Sequence, residues 1–253
     1  MNMGKLAFLR LGDWLPKNIT LLLGLFIVSI ATENMYPAKV LATVVFSIFS
    51  FSFTFSFNYY VERDMDELVG RNRVKGVSPA LAYSIFGIQI VGMMSVPLLM
   101  GNVKALILGL VYLCWAIMYS VKPVYLKKRG VWSVATQAVT LRLIPFMFFI
   151  VLGDFQSSLL IYYLSIWLIL FTANRATYHQ LKDYDNDLKL NWPTFAIVLG
   201  KDRAILFTQI VVGAIYALGF IAVFMFPANI KYLILLFVVL SNPHYRKPPA
   251  NEN

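Results

Sequence analysis

Seven of the chain's twelve acidic residues fall in two short clusters: Glu62, Asp64, Asp66 and Glu67, then Asp183, Asp185 and Asp187. Asn58, Glu62 and Asp66 are four residues apart, so a continued helix stacks them on one face. Asp183 and Asp187 repeat that step, and Arg175 and His179 extend the same face backwards. Like charges at this spacing repel, and carboxylates at a helix C-terminus oppose the macrodipole. A sequence that accepts both costs points to a cation that relieves them. Hard oxygen donors, with neither a thiolate cluster nor a histidine pair, suit Mg²⁺, which keeps waters and takes phosphate oxygens as co-ligands. Arg63, Arg71 and Arg73 near the first cluster, and Arg175 and Lys182 near the second, are suited to the remaining phosphate charge. The blander reading is a solvated loop in which acids and bases pair locally. Two clusters in equivalent places weigh against it.

The elements that must position these residues are membrane helices. The chain has 253 residues, 59% of them hydrophobic and 13% charged, with a mean hydropathy of +0.70. Soluble domains carry about twice that share of charge, so lipid is the expected solvent for most of the surface. Apolar runs near 18–31, 41–61, 78–101, 103–121, 132–153, 157–177, 204–226 and 230–241 predict an all-α bundle of about eight spans, in a single domain over residues 1–253. The first and last runs are shorter than the ~20 residues of a straight span. Placing the N-terminus inside leaves only Lys39, Lys104 and Lys231 on the outer side, so both acidic clusters are expected at the cytoplasmic face of an inner or plasma membrane. The net charge of +10 then reads as inside-positive loops and contact with anionic lipid, not as a nucleic-acid interface. The clusters lie four spans apart, which suggests two halves facing each other across one cavity. Cys114 lies in an apolar run and supports neither a disulfide nor a thiolate site.

These residues carry a resemblance. The stretch Asn58-Tyr59-Tyr60-Val61-Glu62-Arg63-Asp64-Met65-Asp66 resembles the first aspartate-rich motif of the UbiA-type intramembrane prenyltransferases. Tyr178-His179-Gln180-Leu181-Lys182-Asp183-Tyr184-Asp185-Asn186-Asp187, followed by Thr194 and Gly200, is similar to the second motif. Tyr119-Ser120 and Lys127-Lys128-Arg129-Gly130 are similar to the family's Tyr-Ser and basic segment, and Arg10 and Trp14 to its N-terminal element. The resemblance implies a nine-helix bundle around a central cavity and Mg²⁺-dependent transfer of an isoprenyl group from its diphosphate to a small acceptor, usually aromatic. By motif position it implies that Asn58, Glu62 and Asp66 hold one Mg²⁺ and Asp183 and Asp187 another. Asn58, Lys182, Arg175 and Arg71 or Arg73 would contact the diphosphate, and Tyr119 would lie near the allylic carbon.

The chain departs from the family pattern at several places. Tyr59 stands where the family has Asp, Glu62 replaces another Asp, and Leu11 replaces a Pro. A polar tail with Arg246-Lys247-Pro248-Pro249 follows the eighth run, so a ninth helix is not expected and the helix ring is expected to stay incompletely closed. An altered family member, or a small transporter with an acidic vestibule, is the alternative. Transporters place key charges near the bilayer midplane, and here only Arg142 lies deep, about 15 Å into the fifth run. An intramembrane Arg is a functional candidate, for acceptor or phosphate; the structural reading is a bond to a neighbour such as Gln137. His179 is read as a base or, more simply, as a hydrogen-bonding support. Phe-Ser alternation over Phe49–Phe57 reads as helix packing through small residues, and Pro145 and Pro97 as bends.

Overall fold

A computed structural model of the chain describes residues 14–33, 36–68, 70, 74 and 76–240. Arg10, Arg71, Arg73 and the tail expected to stand in place of a ninth helix lie outside them, as does the side chain of Trp14. Each apolar run becomes a helix: α1 (Trp14–Ala31), α2 (Pro37–Leu68), α3 (Pro79–Leu99), α4 (Val103–Ser120), α5 (Val131–Gly153) and α6 (Leu159–Lys182). Two short helices, α7 (Tyr184–Lys189) and α8 (Phe195–Leu199), precede α9 (Lys201–Met225) and α10 (Ala228–Leu240). The six helices α2 to α6 and α9 are long and apolar enough to cross a membrane. The apolar part of α1, Ile19–Ala31, and the 13-residue α10 are shorter, as their runs implied. With no strand among the described residues, this is an all-α integral membrane bundle.

Local sequence sets the helix starts. Ser78, Asn102 and Ser158 are N-caps whose side chains accept from Leu81, Ala105 and Ile161 amides at 3.3, 2.9 and 3.4 Å. Each satisfies one of the orphan donors of a first turn. The Phe-Ser stretch of α2 packs as its small residues suggested. Ser47, Thr54 and Ser56 donate to carbonyls one turn back, which satisfies their hydroxyls inside the bundle. Gln89 of α3 donates to Ser52 at 2.7 Å and accepts from Ser56 at 3.0 Å, and Thr54 meets the Tyr112 hydroxyl of α4 at 2.8 Å. A Cβ on Gly92 would lie 2.6 Å from the Phe49 ring, so only glycine permits this approach of α3 to α2.

Two apolar cores flank the centre. One joins α2, α3 and α4 through Phe46, Phe53, Phe86, Met93 and Tyr112. The other joins α1, α6, α9 and α10 through Leu25, Trp167, Phe171, Ile215 and Ile234. Helix α5 belongs to both, with Phe148 on one side and Phe146 and Phe149 on the other. Half or more of each span's apolar window is buried in α2, α5 and α6, and a third or less in α3, α4 and α9. The outer helices turn residues such as Ile88, Val91, Ile210 and Phe224 outward, where lipid rather than protein covers them.

Among the described residues the expected gap in the ring is not found. Helices pack in a circuit, α1 on α2, α2 on α4, α4 on α5, α5 on α6, α6 on α9, α9 on α10, and α10 back on α1. Thirteen residues span about 20 Å at helical rise, enough to close the circuit without a further helix.

Helix α5 is not uniform. Its middle turn, Val139–Leu143, is a π-helix, with the Ile144 amide bonded to the Val139 carbonyl. Pro145 has no amide and its ring crowds the carbonyl four residues earlier, that of Leu141. The freed Leu141 carbonyl accepts from Arg142 at 2.7 Å. The bend expected from Pro145 is therefore a widened turn that carries the deep arginine.

Candidate active site

The inner helices α2, α5 and α6 enclose a cavity of about 430 Å³ at the end of the bundle that bears the acidic motifs. Asn58, Glu62, Asp66, Tyr119, Arg142, Arg175, Lys182, Asp183 and Asp187 all line it, from five separate elements. His179 lines it too. Arg71 and Arg73 fall outside the described residues.

The first motif lies on uninterrupted helix. α2 runs 32 residues, so Asn58, Glu62 and Asp66 keep the four-residue stacking. Glu62 is only 2% exposed, and a buried carboxylate needs partners. Its Oε2 accepts from the Lys127 ammonium and from Asn58 Nδ2 at 3.1 Å, and its Oε1 from the Tyr125 hydroxyl at 3.1 Å. The Asn58 carbonyl oxygen accepts from Ser120 Oγ at 3.1 Å, which turns that oxygen toward the end of α4. Beside Ser120 at the end of α4, the Tyr119 hydroxyl accepts from Gln137 Nε2 at 3.0 Å. Gln137 is thus the partner of Tyr119 in α4. Arg142 instead donates to Thr20 at 3.3 Å and to the Leu141 carbonyl, with the Phe51 ring 6.0 Å from its guanidinium.

The second motif lies on broken helix. α6 ends at Lys182, Asp183 adopts φ −95° and ψ 4°, and α7 begins at Tyr184. The Asp187 amide still bonds the Asp183 carbonyl at 2.9 Å, so both side chains reach the cavity. The break corrects one sequence argument. Asp185 and Asp187 occupy the first turn of a new helix, where the macrodipole favours carboxylates rather than opposing them. Asp187, 7% exposed, accepts from Thr194 Oγ1 at 3.1 Å, and its carbonyl accepts from the Trp192 amide at 2.8 Å. Lys182 is exposed, its ammonium 4.9 Å from the Tyr178 ring, and Arg175 is half-buried about two turns inward.

Two loops bind the motifs together. The segment after α4 turns through Tyr125, in the left-handed region at φ 41°, into a single 3₁₀ turn, Leu126–Lys128. Gly130, at φ 50°, donates its amide to the Pro193 carbonyl at 2.9 Å and pairs with Thr194. Lys127 and Lys128 lie over the Trp192 ring, at 4.8 and 4.3 Å from its centre. Gln180 completes the junction, donating to Ser133 Oγ at 2.9 Å and accepting from the Ala196 amide at 3.1 Å. Burial opposes the Lys127 charge, but the adjoining Glu62 carboxylate together with Tyr119 and Tyr125 outweighs it and holds the pKa above the ordinary lysine value. Burial, with Glu62 adding to it, likewise raises Tyr125. Lys128 is lowered, mainly by burial and further by Lys122 and Lys127.

Lys127, Tyr125 and Trp192 are the residues that sequence reasoning assigned no role. The basic run after the fourth span was visible, but three adjacent cations carry no mark of which one turns inward.

The donor set fits a hard cation. Carboxylates and side-chain amides line the cavity from two sides, without thiolate. Among the described residues no three acidic, His or Cys groups converge on one point. Mg²⁺ would take one or two of these carboxylates and complete its shell with water and substrate phosphate.

Comparison with known proteins agrees with this architecture. No curated protein sequence matches the chain. Among solved structures, a UbiA homologue from Archaeoglobus fulgidus bound to GPP and Mg²⁺ is similar at a TM-score of 0.74 and 18% identity, over 94% of this chain and 84% of the other. The same holds for a UbiA homologue from that organism bound to DMAPP and Mg²⁺ (0.73, 17%, 94% and 84%) and for one bound to Cd²⁺ (0.69, 19%, 94% and 85%). At these identities the likeness speaks for the helical fold. The family model for the UbiA prenyltransferase family matches residues 18–246, nearly the whole chain with both acidic motifs and the loops that join them, and the protein belongs to that family.

Proposed function

We propose that the protein transfers an isoprenyl group from an isoprenyl diphosphate to a small, aromatic or other, acceptor within the membrane, with Mg²⁺ as cofactor. One observation carries this reading: every described residue assigned by motif position to metal, diphosphate or allylic carbon lines the same cavity, and of the described cations named for phosphate only Arg63, paired with Asp64, does not. The A. fulgidus homologues of like fold bind GPP or DMAPP with Mg²⁺, which supports it.

In this reading Asn58, Glu62 and Asp66 hold one ion and Asp183 and Asp187 the other. The ions supply the positive charge that lets the diphosphate leave as pyrophosphate. Lys182 and Arg175, with Arg71 or Arg73 and the inward Lys127, neutralise the remaining phosphate charge. Tyr119 presents its ring to the allylic carbon, where an aromatic face stabilises developing cation while the enclosing helices exclude water. Ile48, Phe51, Phe55 and Phe171 line the same cavity and give the isoprenyl tail an apolar wall. Arg142, deep on the π turn, is placed to orient the acceptor or a phosphate oxygen.

Mass spectrometry of lipid products, from membranes given DMAPP or GPP and a panel of acceptors, tests the reading directly. Mg²⁺-dependent prenylated product is expected. Solute flux in proteoliposomes without any transfer product would replace this reading by that of a transporter.

A further inference from the structure

The first motif is already occupied by a cation of the protein's own. Glu62 is buried, and its two oxygens take three donors: the Lys127 ammonium, the Asn58 amide and the Tyr125 hydroxyl. A metal ion that approaches this carboxylate meets three donors on its roughly four lone-pair sites, and a like charge. Of the three donors, Asn58 is tied to Ser120, and Tyr125 is set by its left-handed backbone. Lys127 is the one on a four-carbon stem, and it borders the cavity. Its ammonium lies between Glu62 and the Trp192 ring. Trp192 also takes Lys128 and bonds through its amide to Asp187, so Lys127 stands at the junction of the two motifs.

Resting on the prenyltransferase reading above, we propose that Lys127 is a resident counter-ion of the first metal site: without donor it neutralises Glu62, and an arriving diphosphate draws it off, opening that carboxylate to the metal. The ammonium exchanges one anionic partner for another, so the buried cavity keeps its charge compensated at each stage. The device makes metal binding at the first motif depend on the donor, and by linkage donor binding depends equally on the metal. Like charges cannot both sit on one carboxylate, so removing the ammonium should tighten the metal in the donor-free protein. Ordinary electrostatic neutralisation of a diphosphate would give coupling as well, but without that tightening.

The test uses Mn²⁺ as probe, with bound and free ion resolved by electron paramagnetic resonance, and inorganic pyrophosphate in place of the donor. The full chain is measured in nanodiscs. In wild type, one Mn²⁺ should bind weakly alone and tighten when pyrophosphate is added. Lys127→Met should bind that ion about tenfold more tightly without pyrophosphate, at the low end of couplings between close buried charges. The gain on adding pyrophosphate should shrink correspondingly. Lys127→Arg, which keeps the charge, should behave as wild type. Should Lys127→Met fail to fold, Lys127→Gln gives the same reading with its polar head retained. Unchanged or weaker donor-free Mn²⁺ binding in the neutral variants, with the pyrophosphate effect intact, overturns the counter-ion role and leaves the prenyltransferase reading standing. Absence of pyrophosphate-dependent Mn²⁺ binding in every variant, wild type included, overturns both.

Discussion

Asn58, Glu62 and Asp66 lie along one unbroken helix, whereas Asp183 and Asp187 straddle the break between α6 and α7. The spacing is the same, four residues, and the supports differ. On α2 the carboxylates fall in the last turns of a long helix, where free carbonyls make their charge unfavourable. Compensation has to come from another element, and the loop after α4 supplies it through Lys127 and Tyr125. After α6 the chain restarts its helix, so the acids sit at a helix start where the macrodipole favours them, and the following loop returns to hold Asp187 through Thr194 and the Trp192 amide. Motif spacing thus places oxygens in a cavity; the strand of chain packed beside each motif decides what their charge costs.

The comparison presumes one shared site, and topology tests that first with an all-or-none outcome. We propose that both motifs face the cytoplasm. A cysteine at Asp64 or Asn186 should then label only from that side, and one at Asn102 or Asn229 only from the other. Labelling of positions 64 and 186 from opposite faces would end the two-motif site.

Next in size is the pair Glu62→Gln and Asp187→Asn. Each should lower transfer on the order of a hundredfold or more, since each removes charge that the metals need. Glu62→Asp should keep part of the activity, as the shorter carboxylate preserves the charge. Single-turnover transfer from labelled DMAPP is the measurement, and wild-type rates in Glu62→Gln would strip the first motif of its metal role.

A smaller effect separates the supports. Thr194→Val deletes the hydroxyl on a buried carboxylate, and Ser120→Ala the hydroxyl on a neutral amide. Mn²⁺ affinity in the presence of pyrophosphate should fall about tenfold in the first, as for other groups that orient metal ligands, and by about threefold at most in the second. Equal effects would mean that the two motifs are supported alike.

The smallest effect is on stability against pH. Lys127 is raised in the folded state, so its contribution is fully present below the ordinary lysine value, about 10.4. It is lost as pH rises through the higher folded value. Between pH 7 and about 10 the gap in thermal midpoint between wild type and Lys127→Met should stay level, and it should narrow above that. A gap unchanged to the alkaline limit would show that the Lys127–Glu62 pair does not hold the loop.

The amino-acid sequence alone determined the all-α membrane bundle and its apolar helices, and it pointed both acidic motifs toward one cavity. Lipid leaves backbone no partner but itself, so apolar runs about twenty residues long have one available conformation. Four-residue spacing on such helices places Asn58, Glu62 and Asp66 on one face without any knowledge of neighbours. What lies in loops and between helices was decided only by the tertiary structure. Lys127, Lys128 and Arg129 are equivalent as letters; the turn at Tyr125 and the pairing of Gly130 with Thr194 send Lys127 to Glu62. The helix break at Asp183, the π turn beneath Arg142 and the closure of α10 on α1 likewise arise from contacts distant in sequence. Hydropathy reports how a segment meets its solvent, whereas these features depend on how segments meet one another, through packing and hydrogen bonds that no single stretch of chain encodes.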